Sequence, residues 1–230
     1  MPKDAAQHLV IDGDDTLWEN NIYFEESVEA FIDFLDHSSL GREEVRAVLD
    51  EIERLNLANH GYGSAAFGRN LQEAYRRLAE REILTEELER ILELGRRVVS
   101  QPMELLPGVE ATLEHLSAGH DLTLFTKGEL EEQRLKVERS GLERYFDRVV
   151  VTPEKDVPAY LSLVADHSLD PDRTWMIGNS PRSDINPPLA AGLRAIFIPH
   201  PRTWTLEVVE VAESERLLVL RSFQQLREHF

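Results

Sequence analysis

Three carboxylates, Asp12, Asp14 and Asp15, fall within four positions of the chain, directly after the aliphatic run Leu9, Val10 and Ile11. Crowded like charges push one another toward the protonated form unless something relieves them. A divalent cation, a reaction that uses these groups, or plain exposure in a solvated turn would each do so. A calcium-binding helix–loop–helix is excluded. Counted from Asp12, its sixth and twelfth positions hold Leu17 and Tyr23, where glycine and glutamate are required.

Polar residues also close the later apolar runs. "DLTLFT" ends in Thr126, followed by Lys127 and Gly128. Lys155 comes shortly after "RVVVT", and "RTWMIG" runs into "GNSPRSD", Gly178 to Asp184. Taken singly, each has a plain reading as a strand-end or surface residue. Taken together they have a chemistry. Asp12 and Asp14 could share a hard cation, with Asn179 and Asp184 adding oxygen donors. Thr126 and Lys155 could hold an anion beside it, which is the equipment of phosphoryl transfer. The chain has neither a P-loop nor a glycine-rich dinucleotide fingerprint.

These residues need a scaffold that brings strand ends together. From Asp121 onward, strand and helix alternate: "DLTLFT", "RVVVT", "RTWMIG" and "RAIFIP" are separated by "LEEQRLKVERSG", "PAYLSLVADHS" and a short helix around Pro188 to Ala191. That alternation predicts a parallel sheet covered on both faces, with ligands beyond the carboxyl ends of its strands. The strand His8 to Asp12 has no partner nearby and is expected to join this sheet. Between them, "ESVEAFIDFLDH", "REEVRAVLDEIERLNLANH", "SAAFGRNLQEAYRRLAE" and "EELERILELGRRVV" carry apolar residues at helical spacing. The expected organisation is an α/β core of residues 1–17 and 103–230 with an inserted helical bundle, 18–102. "SERLLVLRSFQQLREHF" is read as a last strand and helix closing the core.

Composition bounds the partners. With 230 residues, 42% hydrophobic, and no run of about 18 apolar residues, nothing is expected to span a membrane. "MPKDAAQHLVIDG" lacks the apolar centre of a signal peptide, which predicts a cytoplasmic protein. The chain has no cysteine, so thiolate nucleophiles, thiolate metal sites and disulfides are ruled out. A net charge of −18 disfavours nucleic acid and anionic membranes as partners.

The ordered motifs resemble the haloacid dehalogenase superfamily, mostly phosphatases with a Rossmann-like core and a movable cap. "DGDDT" is similar to its first motif at Asp12, Asp14 and Thr16, and "LTLFTKG" to its second at Thr126. "EKDVPAY" resembles the third at Lys155, and "MIGNSPRSDINPPLAAG" the fourth at Gly178 to Ile185. The likeness spans about Leu9 to Pro199 and places the helical bundle where the family carries its cap. There are two departures. Asn179 stands where aspartate is usual, which removes a charge from the metal site. Lys127 stands where many relatives have asparagine, and either adds positive charge near a phosphate or points to solvent.

By this resemblance Asp12 is the nucleophile, forming an aspartyl-phosphate, and Asp14 the general acid and base. Thr126, Lys127, Gly128 and Lys155 bind the phosphoryl group, and Thr16 stiffens the loop. Asp12, Asp14, Asn179 and Asp184 hold Mg2+, with Mn2+ as a substitute. The implied activity is a magnesium-dependent phosphatase acting on a small phosphorylated metabolite. The rival readings are a carbon–halogen hydrolase, needing neither metal nor second acid, and a catalytically weak binding protein with a decayed site at Asn179. The segment His60 to Arg69 is read as a cap loop over the site or as a helix turn with Tyr62 and Phe67 in the bundle core. Trp18 and His200 are expected to be structural.

Overall fold

A computed structural model describes residues 6–230, with Ala58 described by its backbone alone. Residues 1–5, counted with the core on sequence grounds, lie outside the described residues. The chain divides into two compact units. One runs from the first described residue to Glu19 and from Met103 to Phe230; the other is Asn20–Pro102. Trp18 and Glu19, read from the sequence as the start of the bundle, thus group with the first unit.

The first unit is built on six strands: β1 (His8–Ile11), β2 (Asp121–Lys127), β3 (Arg148–Thr152), β4 (Thr174–Gly178), β5 (Arg194–Phe197) and β6 (Leu217–Val219). All neighbours are parallel, in the order β3-β2-β1-β4-β5-β6. β1 joins the sheet as expected and lies between β2 and β4, with Ile11 opposite Leu124 on one side and Ile177 on the other. Strand order reverses around β1, so its carboxyl end opens onto the crevice where α/β sheets bind ligands.

The strand sequences are continuous apolar runs because both faces are covered. Alternate residues divide between two cores. Leu9, Ile11, Leu122, Leu124 and Ile177 pack with Trp18 and with Val109, Leu113 and Leu116 of α5 (Val109–Ser117). Val10, Phe125 and Met176 face the other way, onto Tyr160 and Leu163 of α7 (Val157–His167). Asp156 caps α7 by accepting from the Ala159 amide at 2.9 Å, and Pro158 sits in the first turn, where its missing N–H costs nothing. This start signal immediately follows Lys155 and fixes where that lysine leaves the backbone. The fourth motif opens with a π-helical turn, Pro181–Ile185, before a short helix, Asn186–Ala190. The expected C-terminal helix is instead a 3-10 helix, Phe223–Glu228, which buries Phe223 and Leu226 against the sheet.

The second unit contains α1 (Asn21–Leu35), α2 (Arg42–His60), α3 (Ser64–Leu78) and α4 (Thr85–Ser100). Phe31, Leu49, Leu71, Tyr75 and Ile91 form its core. Phe67 is buried in it and meets Phe24 edge-on at 5.0 Å, so the packing reading of this residue holds, while His60 and Arg69 are exposed. α3 and α4 touch backbone to backbone at Gly68 and Gly95, where a Cβ on Gly95 would lie 2.6 Å from the Gly68 Cα.

Candidate active site

The carboxyl ends of β1, β2 and β4 and the β3–α7 loop each deliver a side chain. The Lys155 ammonium bridges two carboxylates, 2.5 Å from Asp12 Oδ1 and 2.8 Å from Asp184 Oδ1. All three are buried. The Thr16 hydroxyl lies 3.1 Å from Asp12 Oδ2 and 3.3 Å from Asn179 Oδ1. Asp184 Oδ2 accepts from the Ser180 amide at 3.0 Å. Gly178 is needed beneath it, because a Cβ there would stand 2.3 Å from that same oxygen. Lys155 also packs 5.5 Å from the Phe125 ring centroid, and the Tyr160 hydroxyl donates to the Ser183 carbonyl at 2.8 Å. Three segments distant in sequence thus meet at one buried ion cluster, with Phe125 of β2 against its lysine.

Two carboxylates and one ammonium leave a net negative charge. Burial and the charge of Asp184 push the Asp12 carboxyl up to about 7, against the pull of Lys155. Burial alone would lower Lys155, but Asp12 and Asp184 outweigh it and raise its pKa above the ordinary lysine value. Such a site is short of positive charge, and the donors facing it are carboxylate and amide oxygens. Asp12, Asp184 and Asn179 therefore fit a hard divalent cation such as Mg2+.

Asp14 is near enough for its charge to raise the Asp12 pKa, but its hydrogen bonds go to other partners. Lys136 of α6 (Leu130–Ser140) holds its two oxygens at 3.0 and 2.8 Å, Gln133 donates to it at 3.0 Å, and the Trp18 indole at 2.7 Å. Burial would raise its pKa, but the Lys136 charge and these hydrogen bonds bring it below the ordinary value. Crowding of neighbouring acids raises one pKa of this pair. The rise falls on Asp12, which is buried and shares Lys155 with Asp184, whereas Lys136, Trp18 and Gln133 all hydrogen-bond to Asp14. Among the described residues, Asp12, Asp14 and Asp184 do not form a three-acid group with mutually close ligand atoms. Two acids and a histidine, Asp15, Glu19 and His200, do bring ligand atoms within 4.8 Å of one another. Burial lowers the His200 pKa despite Glu19.

Thr126 donates to Gln133 Oε1 at 2.9 Å, so Gln133 links the second motif to Asp14. Gly128 has φ 147°, a left-handed backbone, and donates to the Thr152 carbonyl at 3.0 Å. Lys127 does not point to solvent. Its ammonium binds Glu207 Oε1 at 2.7 Å and Ser183 Oγ at 2.8 Å, and is largely buried.

Sequence reasoning missed Gln133, Lys136 and Glu207. The first two lie three apart on one face of α6, a signal available from spacing once the helix is placed after the second motif. Glu207 ends a single-turn 3-10 helix, Thr205–Glu207, after β5, too short for a pattern to mark it.

Comparison with known proteins follows the same lines. The model of the haloacid dehalogenase-like hydrolase family matches residues 34–198. A haloacid dehalogenase-like family hydrolase from Xanthomonas campestris superposes with a TM-score of 0.86 at 32% identity, over 98% of this chain and 90% of that one. The pyrimidine 5'-nucleotidase YjjG of Escherichia coli (strain K12) is 31% identical over 128 residues, 49% of this chain and 56% of that protein. The N-acylneuraminate-9-phosphatase of Rattus norvegicus is 34% identical over 100 residues, 41% of this chain and 40% of that protein. The matched stretch thus spans about half or less of these curated relatives. With the family model covering most of its length, and a solved structure of that family superposing over nearly all of it at 32% identity, the chain belongs to the haloacid dehalogenase-like hydrolase family.

Proposed function

We propose that this hydrolase is a magnesium-dependent phosphatase that cleaves a small phosphomonoester through an aspartyl-phosphate on Asp12. The observation that carries the reading is the Lys155 ammonium seated between Asp12 and Asp184, at 2.5 and 2.8 Å, in a buried setting. It gives a carboxylate nucleophile with a cation beside it for the charge of a phosphoryl group. The named activities of the nucleotidase and sugar-acid phosphatase relatives support a phosphorylated metabolite as substrate.

In the first half-reaction an Asp12 oxygen bonds to phosphorus as the bond to the alcohol oxygen breaks, and Asp14 gives that oxygen a proton. In the second, Asp14 takes a proton from water as its oxygen bonds to phosphorus, and the Asp12 carboxylate is released. The Lys136 contact favours the ionised form of Asp14 that takes the water proton in the second step, and the first step draws on its minor protonated form. Lys155 shields the Asp12 charge from the incoming phosphoryl oxygens. Asp12, Asp184 and Asn179 would hold Mg2+, which when bound supplies charge neutralisation for the phosphoryl oxygens and for Asp12. The helical unit occupies the chain position of the family's cap, between the first and second motifs.

The test is hydrolysis across a panel of phosphomonoesters, beginning with p-nitrophenyl phosphate, with Mg2+, with Mn2+ and with a chelator. Turnover that needs the metal is expected. Release of halide from a haloacid, undiminished by chelator, would overturn the reading.

A further inference from the structure

Glu207 is buried, yet it is not one of the motif residues. Its Oε1 accepts from Lys127 at 2.7 Å. Its Oε2 accepts from the hydroxyls of both Ser180 and Ser183. The network continues inward. Ser180 Oγ accepts from the Ser183 amide at 3.0 Å, the Ser180 amide donates to Asp184 Oδ2 at 3.0 Å, and the Asp184 amide donates to the Ser180 carbonyl at 2.7 Å. Lys127 also lies 2.8 Å from Ser183 Oγ and 3.4 Å from Glu154. Burial opposes the charge of Glu207, but Lys127 and the two serines outweigh it and lower its pKa.

The placement matters because Lys127 ends β2 while Ser180 and Ser183 follow β4, on the far side of β1. Adjacent strands lie ~4.8 Å apart, so the two loops are separated by roughly 10 Å. The Lys127–Glu207 pair closes that gap across the end of β1, above which Asp12 sits. A buried carboxylate with three donors is costly to disturb, so it fixes the geometry of what it touches.

We propose that Glu207 is a positioning residue for the fourth-motif loop: through Ser180 and Ser183 it sets the carboxylate of Asp184 for cation binding, with Lys127 as its counter-ion and not a ligand of the substrate phosphate. This rests on the reading of Asp184 as a metal ligand and deepens it.

The experiment measures Mg2+ affinity by calorimetry, together with kcat and KM on p-nitrophenyl phosphate. Loss of a supporting hydrogen-bond partner of a metal ligand typically costs ~10- to 100-fold in affinity. Glu207→Gln and the pair Ser180→Ala/Ser183→Ala are expected to weaken Mg2+ binding by that amount, with the loss in kcat/KM reduced by raising Mg2+. Lys127→Met combined with Glu207→Gln removes both charges and leaves no buried unpaired ion. It serves if the single variant fails to fold, and is expected to fold with Mg2+ affinity still reduced. Wild-type Mg2+ affinity in a folded Glu207→Gln protein, or in the double variant, would overturn the proposal. A fully active wild type with unaltered turnover in these variants would overturn it as well. If wild-type protein binds Mg2+ but cleaves no phosphomonoester, the phosphatase reading falls while the affinity comparison still decides the role of Glu207.

Discussion

Lys136 holds both carboxylate oxygens of Asp14, at 3.0 and 2.8 Å, from a helix more than a hundred residues further along the chain. This contact decides which acid of the first motif is the stronger. Replacing Lys136 with methionine keeps the length and apolar stem of the side chain but removes the charge. The variant is expected to lose roughly 1.5–3 kcal/mol of stability, the range for a hydrogen bond to a charged group. The Asp14 carboxyl should rise, because burial then acts with less opposition. Urea titration measures the first effect, and carboxyl chemical shifts over a pH series the second. An unchanged Asp14 titration would show that Gln133 and Trp18 suffice.

Asp12 makes the opposite case. Its folded pKa is raised from 3.8 to about 7 by burial and by Asp184. Folding therefore takes up a proton between those two values. The associated stability is fully present below 3.8 and is lost as pH rises through the folded pKa. Metal-free protein is expected to lose stability between about pH 4 and 7 on this account. Asp12→Asn should lack that increment, remain folded, and lose turnover by at least ~10,000-fold, as when other nucleophiles are removed. Denaturant midpoints across pH for the two proteins provide the check, and substantial turnover by the variant would refute Asp12 as nucleophile.

The sheet was legible because its central strands are buried on both faces: Leu9–Val10–Ile11 is an unbroken apolar run, and Leu122 to Phe125 is broken only by Thr123. The residues meeting around Lys155 were legible because each follows a strand, and strand ends in a parallel sheet converge. What stayed hidden depends on side-chain direction. Asp14 and Asp12 are two apart on an irregular loop, so sequence spacing cannot say that one turns to Lys136 and the other to Lys155. Lys127 read equally well as a phosphate ligand or a solvent-facing lysine, because its partner Glu207 is 80 residues away in a stretch without periodicity. Trp18 opens the bundle in the sequence reading, as a packing residue right after the first motif. Its indole instead packs in the sheet core and donates to Asp14.

Gly178 links the sheet to the chemistry. A methyl group there would fall 2.3 Å from Asp184 Oδ2 and 2.5 Å from its Cγ. Asp184 is fixed by Lys155 on one oxygen and the Ser180 amide on the other, so it cannot yield without breaking one of them. Gly178→Ala is expected to cost about 1–3 kcal/mol from overpacking. Mg2+ affinity should fall with it. Wild-type stability and Mg2+ binding in the variant would mean that the carboxylate is freer than these contacts imply.

The helical unit offers a test that leaves the ion cluster alone. At Gly95 an added Cβ would lie 2.6 Å from Gly68 Cα, 2.7 Å from its nitrogen and 2.8 Å from the Ser64 carbonyl oxygen, all of them backbone. No rotamer change relieves such contacts, so α3 and α4 must move apart. Separation would loosen the packing that buries Phe67, Leu71 and Ile91. Gly95→Ala favours the helix by local propensity, by up to ~1 kcal/mol. The two terms oppose, and the backbone clash should win, since widening the contact strips dispersion from every side chain along it. The expected result is a net loss of about 1–3 kcal/mol, read as a lower denaturant midpoint with native helix content kept at low denaturant. A stabilised variant would show that helix propensity outweighs the close approach, and that the two helices can slide apart at little cost.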